Sequence, residues 1–408
     1  MRTIIFFKGI YDTLDLFTEE LGNAFALLGF ASFVYDANRR EQSKEELLAL
    51  LEQGSASAGG REGQEQRFAC VTFNNMGYNL NIPPEKGVSD GESRNVWEYY
   101  GIPYINILMD HPFHYDRPLK KAPSTAIVLC TDRNHVKYIR RFYKNIRRTD
   151  FLAHAGVELG KKHKPLAERG IDVLYAGALP IYTVSEMIPD LTSIEEVDAE
   201  AMAGEVLAEL VRHPDKTTEQ AIEEYVRAVS REEMTEERLA NLILKMRFLD
   251  SYATSFFREQ AVRILVESGI RVTAFGTGWD QCEWSSHPNL DYRGKVLAPE
   301  ILPLMNDSKI VLNTMTWFKA GAHDRVFNGM LAGAAVVTDD SSYMRQEFTD
   351  GKELVMFSRK ELGSLPERVS ELFGHMERTQ ELADCGYRAA GERHTWKNRA
   401  EYIAECFL

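Results

Sequence analysis

The stretch Lys309–Val337, KIVLNTMTWFKAGAHDRVFNGMLAGAAVV, constrains the fold more than any other. It opens on the apolar run Ile310–Leu312, closed by Asn313. A loop with Gly321, Ala322 and His323 follows, and Asp324 stands at the expected N-cap of a helix over Arg325–Ala332. Val326, Phe327, Met330 and Leu331 recur at helical spacing. Gly333 ends that helix, and Ala334–Val337 reads as the next buried strand. Strand, polar loop, helix and strand in this order predict an α/β domain. Its ligand edge would carry His323, Asp324 and the amides of Arg325–Asn328, and a helix start there favours an anion.

At 408 residues the chain exceeds one ordinary domain, so two are expected. The first half repeats the α/β pattern. Thr3–Phe7 is an apolar run suited to a buried parallel strand, followed by Gly9, a helix from about Leu14 to Leu28 and a strand over Phe30–Tyr35. Further strands are predicted over Phe68–Phe73, Pro103–Met109, Ala126–Cys130 and Phe151–Ala153. Segments 54–66 and 83–94 read as polar surface loops. The charged run Glu158–Gly170 has no apolar periodicity and reads as a linker, so the first domain is expected over 1–157. Ile171–Tyr175 starts a second sheet. The charged, helical stretch from Glu195 to about Gly269 exceeds one crossover, and residues 195–250 read as a helical insertion. Arg271–Phe275 is the next strand, Ala298–Asn306 a helix, and Glu361–Phe373 another.

Several fragments resemble group 1 glycosyltransferases of the CgeB-like branch. They are Arg325-Val-Phe-Asn328, Leu331-Ala-Gly333 with Thr338-Asp339, Gly276-Thr-Gly278-Trp279, Tyr292-Arg-Gly-Lys295-Val296, Val173-Leu-Tyr-Ala-Gly177 and Arg393-His-Thr-Trp396. The resemblance covers residues from about 173 to the C-terminus. It implies the GT-B fold, two Rossmann-like domains facing across a cleft, with the second over 171–389. It also implies a final helix, within 390–408, crossing back to the N-terminal domain. The implied donor-side residues are Gly177, Gly276, Tyr292, Lys295, Gly321, His323, Arg325 and Asn328. Family members usually carry a Glu that binds the donor ribose where this chain has Asn328. An amide offers one acceptor and one donor group where a carboxylate offers two acceptors, so altered ribose binding is expected.

Acid–base chemistry is expected from the N-terminal domain, where Asp110-His111 closes a strand before Pro112. His111 titrates in the useful range, and Asp110 can orient it or act as the base itself. No DxD triplet of metal-nucleotide character is present, and Asp339-Asp340 followed by Ser-Ser reads as a turn. The expected activity is therefore metal-independent sugar transfer without a cofactor. The donor would be a nucleotide-sugar, UDP-sugar by family habit, and the acceptor a glycan, protein or small molecule. A nucleotide-sugar epimerase of the same fold and a non-catalytic nucleotide-binding scaffold are the alternatives.

Composition excludes other classes. The net charge is −13 with both signs mixed along the chain, which disfavours a nucleic-acid partner. No apolar stretch approaches the roughly 20 residues of a membrane span. The five cysteines are far apart without a CxxC spacing, so neither a disulfide framework nor a zinc site is expected and a cytoplasmic setting fits.

Overall fold

A computed structural model describes residues 2–57, 67–82, 94–160, 163–179, 188–230 and 233–408. The predicted loop 83–94 lies outside these residues except for Arg94, as does most of the loop 54–66. The chain divides into two compact units, one of Met1–Ala153 with Trp396–Leu408, the other of His154–Thr395.

The first unit is built on six parallel strands: β1 (Thr3–Lys8), β2 (Ala31–Asp36), β3 (Phe68–Phe73), β4 (Tyr104–Leu108), β5 (Ala126–Cys130) and β6 (Arg148–Phe151), in the spatial order β2-β1-β3-β4-β5-β6. β3, β4 and β5 are buried at every position, as continuous apolar runs in a two-sided parallel sheet must be. Helices α1 (Asp12–Leu27), α2 (Arg40–Ser57), α3 (Val96–Tyr100), α4 (Asp116–Lys120) and α5 (Arg133–Phe142) connect them.

The second unit has the strands β7 (Ile171–Ala176), β8 (Val272–Phe275), β9 (Leu290–Tyr292), β10 (Ser308–Asn313), β11 (Ala335–Asp339) and β12 (Val355–Phe357), ordered β9-β8-β7-β10-β11-β12 and all parallel. This is the order of a dinucleotide-binding sheet, and its direction reverses between β7 and β10. Between β7 and β8 lie four helices, α6 (Ala199–Arg212), α7 (Thr218–Val229), α8 (Glu236–Lys245) and α9 (Phe248–Glu267). Helices α10 (Ala298–Asn306), α11 (Asp324–Leu331), α12 (Ser342–Glu347), α13 (Leu365–Gly374) and α14 (Met376–Arg393) follow. The 18-residue α14 is absent from the sequence reading. It buries small residues, Ala383, Gly386, Ala389 and Ala390, and therefore lacks a stripe of large apolar side chains. A Cβ on Gly386 would stand 2.5 Å from the Glu353 carbonyl oxygen, so the close approach depends on that glycine.

The unit boundaries differ from the expected 157 and 390. Residues 154–157 and 390–395 are held in the second unit. There Val157 N–H donates to Asn328 Oδ1 at 2.8 Å, Gly156 N–H donates to the His394 carbonyl at 2.9 Å, and His394 stacks on Phe327 with ring centroids 4.5 Å apart. The segment expected as a linker also belongs there. Leu166 is buried, and Arg169 Nη1 donates to the Ser308 carbonyl at 2.9 Å.

The closing helix α15 (Trp396–Phe407) completes the first unit against α1. The Trp396 indole is 3% exposed and lies 5.0 Å from the Phe17 ring and 5.7 Å from the Phe73 ring. Trp396→Ala is expected to cost the first unit about 3–5 kcal/mol through the lost transfer term and the cavity left behind. Urea unfolding followed separately for the two units checks this, with the transition of the second unit unmoved.

Candidate functional site

The site builds from the turning point of the second sheet, where the carboxyl ends of β7 and β10 separate. Arg325, in the first turn of α11, is 6% exposed and spans that point. Its Nη1 donates to the Ala176 carbonyl at 2.6 Å and its Nη2 approaches the Thr314 carbonyl at 3.4 Å. The guanidinium lies over the Tyr175 ring at 5.7 Å, and the Tyr175 hydroxyl shares a hydrogen bond with Thr314 Oγ1 at 2.7 Å. A guanidinium supplies five donors in a fixed plane, which suits it to gathering carbonyls from several strand ends.

Glycines make room for it. A Cβ on Gly177 would sit 3.0 Å from Arg325 Nη1. Gly276 has φ +117° and faces Gly177 so closely that a Cβ would meet its carbonyl carbon at 2.5 Å. Gly177 N–H donates to the Phe275 carbonyl at 2.9 Å, and Gly276 N–H to the Gly294 carbonyl at 2.9 Å. The loops after β7, β8 and β9 are thus sewn together by backbone bonds. Tyr292 ends the outer strand β9 in register with Ala274, and the Lys295 side chain, next to Gly294, is exposed.

Helix α11 starts one residue earlier than expected. His323, not Asp324, is its N-cap, with Nδ1 3.2 Å from the Arg325 amide, and Asp324 is the first helical residue. The imidazole is packed by Trp317, Phe318 and His154, with centroids 5.5, 6.0 and 5.9 Å away. Burial and the Arg325 charge push its pKa down to about 3 against the pull of Asp324, so the ring is neutral at physiological pH. Gly321 holds the loop by accepting from the Ser341 hydroxyl at 2.7 Å. Asn328 is 4% exposed and both halves of its amide are engaged inside the protein. Oδ1 accepts from Val157 N–H, and Nδ2 donates to Asp324 Oδ2 at 3.0 Å.

Arg258, Lys319 and Arg359 escaped the sequence reading, and Asp339 takes another role than the one expected. Arg258, in α9, is 7% exposed, donates to the Ala178 carbonyl and lies over Trp317 at 4.9 Å. Its place on the face shared by Thr254, Ala261 and Val262 was the available signal. Asp339 does not sit in a turn: it closes β11 fully buried, accepts from Met315 N–H at 2.8 Å and pairs with Arg359 at 2.7 Å. A carboxylate placed there without Arg359 would be an uncompensated buried charge. Lys319 Nζ and Arg359 Nη2 both donate to the Pro214 carbonyl, at 2.7 and 3.2 Å, tying the α6–α7 turn to the loop before α11.

In the first unit, Asp110 closes β4 and accepts from the Tyr115 hydroxyl at 2.7 Å and from Asn74 Nδ2 at 3.4 Å. Asn74 and its neighbour Asn75 have positive φ, 46° and 63°, at the end of β3. Left-handed non-glycine residues of this kind gather at functional loops. His111 is 5% exposed, accepts from Phe113 N–H at 3.2 Å and stacks on the Phe113 ring at 3.7 Å. It is packed as a turn cap, which leaves Asp110 as the better placed of the two candidate bases. Among the described residues no three His, Cys, Asp or Glu side chains gather as a metal site.

Two outcomes follow from this geometry. Burial and the nearby Arg359 push the Lys319 pKa down to about 7. Between that pH and the roughly 10.4 of an unfolded lysine, the unfolded chain binds a proton that the native protein has released, so Lys319 makes stability rise with pH. The stability difference between the protein and Lys319→Met should therefore grow with pH from about 7 to about 10 in urea titrations. A constant difference would contradict a neutral Lys319. Asn328→Glu, which restores the residue usual in the resembling family, sets a second carboxylate against Asp324 and removes the Nδ2 donor that Asp324 Oδ2 accepts from. It should cost about 1–3 kcal/mol for that lost donor alone and gain no nucleotide affinity, read by thermal unfolding with and without ligand.

A family profile described as glycosyl transferase-like matches residues 254–405, from α9 through the site to α15. No curated protein sequence matches the chain. Among solved structures, sucrose-phosphate synthase from Thermosynechococcus elongatus superposes with a TM-score of 0.54 at 9% identity, over 100% of this chain and 98% of that one. HepE from Anabaena, in complex with UDP and glucose, gives 0.51 at 11% identity over 99% of each chain. An alpha-glucosyltransferase in complex with UDP-glucose and DNA containing an abasic site gives 0.54 at 11% identity, over 99% and 98%. Residues 254–405 thus match a glycosyl transferase-like family, and the whole chain has a GT-B fold.

Proposed function

We propose that this transferase moves a sugar from a nucleotide-sugar, with UDP as the nucleotide, to a hydroxyl of a glycan, protein or small molecule. The observation that carries this reading is the coincidence of three features at one sheet edge. The family match covers α11, α11 begins where the sheet order reverses, and the buried Arg325 guanidinium is held there beside Gly177 and Gly276. A dinucleotide-type sheet binds its ligand at that reversal, and a helix start with a fixed cation stabilises a departing diphosphate. HepE and the alpha-glucosyltransferase, solved with UDP and UDP-glucose, support the choice of nucleotide.

Arg325 and the first turn of α11 would carry the leaving-group charge without a metal, and Asp110 would accept the acceptor's proton in the first unit. The charge of −13 favours acceptors other than nucleic acid. Among the described residues no helix is long and apolar enough to cross a membrane, and the five free cysteines suit a reducing cytoplasm.

Thermal unfolding against a panel of nucleoside diphosphates and their sugars, with and without magnesium, tests the reading. A ligand at about 100 times its dissociation constant adds about 2.7 kcal/mol to stability. A base-selective shift that needs no magnesium is expected. Asp110→Asn should keep that shift and lose turnover with whatever acceptor the screen then yields. No shift with any nucleotide at millimolar concentration would refute sugar transfer.

A further inference from the structure

The first turn of α11 holds four groups whose hydrogen-bond directions determine one another. The Val157 amide can only donate, so the Asn328 side chain must turn Oδ1 towards it, at 2.8 Å. That places Nδ2 on Asp324 Oδ2 at 3.0 Å, and Asp324 must accept there. The other carboxylate oxygen, Oδ1, is 2.6 Å from His323 Nδ1. A nitrogen and an oxygen this close need a proton between them.

Asp324 does not carry that proton. Burial works against its ionisation, but His323 and Arg325 outweigh burial and hold the carboxyl well below the usual range. Nδ1 also lies 3.2 Å from the Arg325 amide and 3.3 Å from Arg325 Nε, both donors. One ring nitrogen cannot donate to Asp324 and accept from Arg325 together. The shorter contact, to a charged oxygen, decides, and the proton sits on Nδ1. In a neutral imidazole this leaves Nε2 bare, as an acceptor. No described residue hydrogen-bonds Nε2, and the His323 side chain is 19% exposed.

We propose that His323 presents the Nε2 lone pair to a hydroxyl of the bound sugar or its acceptor, with Asp324 and Asn328 as positioning residues that fix this tautomer. The ligand group at this point is a hydrogen-bond donor. A phosphate oxygen at this point would face the lone pair and be repelled. The sugar hydroxyl rests on the glycosyltransferase reading, whereas the tautomer does not.

Nitrogen-15 NMR of histidine-labelled protein without ligand tests the tautomer, with His323→Gln to assign the signal. Wild-type His323 should show a protonated Nδ1 and a bare Nε2, unchanged from pH 5 to 8 in line with its depressed pKa. A protonated Nε2 or an imidazolium at pH 7 overturns the proposal. In Asp324→Asn the Asn328 amide stays fixed by Val157, so the new amide must turn its oxygen to Asn328 and its NH2 to Nδ1, and the proton should move to Nε2. Adding Asn328→Asp reverses the second hydrogen bond and should return the proton to Nδ1. A tautomer indifferent to both changes overturns the relay, and a merely structural role for Asp324 predicts no such restoration.

Ligand binding then separates the two readings. Asp324→Asn should leave UDP affinity unchanged and weaken UDP-glucose about tenfold, as one hydrogen bond to a buried group is worth. An equal loss for UDP would make His323 a phosphate contact and overturn the hydroxyl assignment. If wild-type protein binds neither ligand, the hydroxyl assignment falls with the donor reading, and the tautomer result still stands or falls alone.

Discussion

The second unit depends on a cation buried at the point where its sheet changes direction. Arg325 draws the carbonyl ends of β7 and β10 together and fixes the start of α11 against them. A guanidinium withdrawn from water needs acceptors in several directions, and strand ends supply them. The glycine at 177 follows from its size, because a side chain there would press on the guanidinium, and the glycine at 276 follows from the close approach of the Gly177 backbone. Burial, with the Arg325 charge beside the ring, keeps His323 neutral. One strand further out, Asp339 and Arg359 repeat the device as a complete ion pair, and Pro214 anchors the helical segment to it.

The first unit uses the same edge differently. The amide of Gly9, at the end of β1, donates to both carboxylate oxygens of Asp15, at 2.8 and 3.0 Å. A turn that binds phosphate in other α/β sheets is therefore filled by the chain's own carboxylate, and the first turn of α1 carries Asp12 as well. A phosphate would meet repulsion there. The neighbouring strand ends instead carry Asn74, Asn75 and Asp110, groups that pair with hydroxyls. Two sheets of similar design thus differ at their carboxyl edges, one carrying a buried arginine and the other carboxylate and amide side chains.

The strands were the most legible part of the sequence. Phe68–Phe73 and Ala126–Cys130 match the expected spans, as does the helix Ala298–Asn306, because each is bounded by clear polar or turn residues. Boundaries set by long-range bonds were not legible. Residues 154–157 directly follow the strand expected over Phe151–Ala153, yet a hydrogen bond to Asn328, 171 positions away, ties them to the second unit. Asp339 resembles a turn residue until Arg359, twenty positions later, is seen to neutralise it. The site glycines and α11 were found from local pattern, whereas Arg258 and Lys319 were missed because burial of a charge depends on what folds over it.

Asn328 shows how far such dependence reaches. Seen alone, an amide in place of a carboxylate is a weaker ribose ligand. In the folded protein the position lies between a backbone amide that can only donate and a carboxylate that can only accept. A side chain there must therefore offer an acceptor at one end and a donor at the other, within the reach of one methylene. Asparagine meets that requirement, a carboxylate lacks the donor, and glutamine overshoots by a methylene. Asp324 is the reason the donor is needed, so residues 324 and 328 form one unit of sequence whose members have meaning together. The departure from the family pattern at 328 is then matched by the acid one turn earlier, which accepts from the Asn328 amide with one oxygen and lies 2.6 Å from His323 Nδ1 with the other.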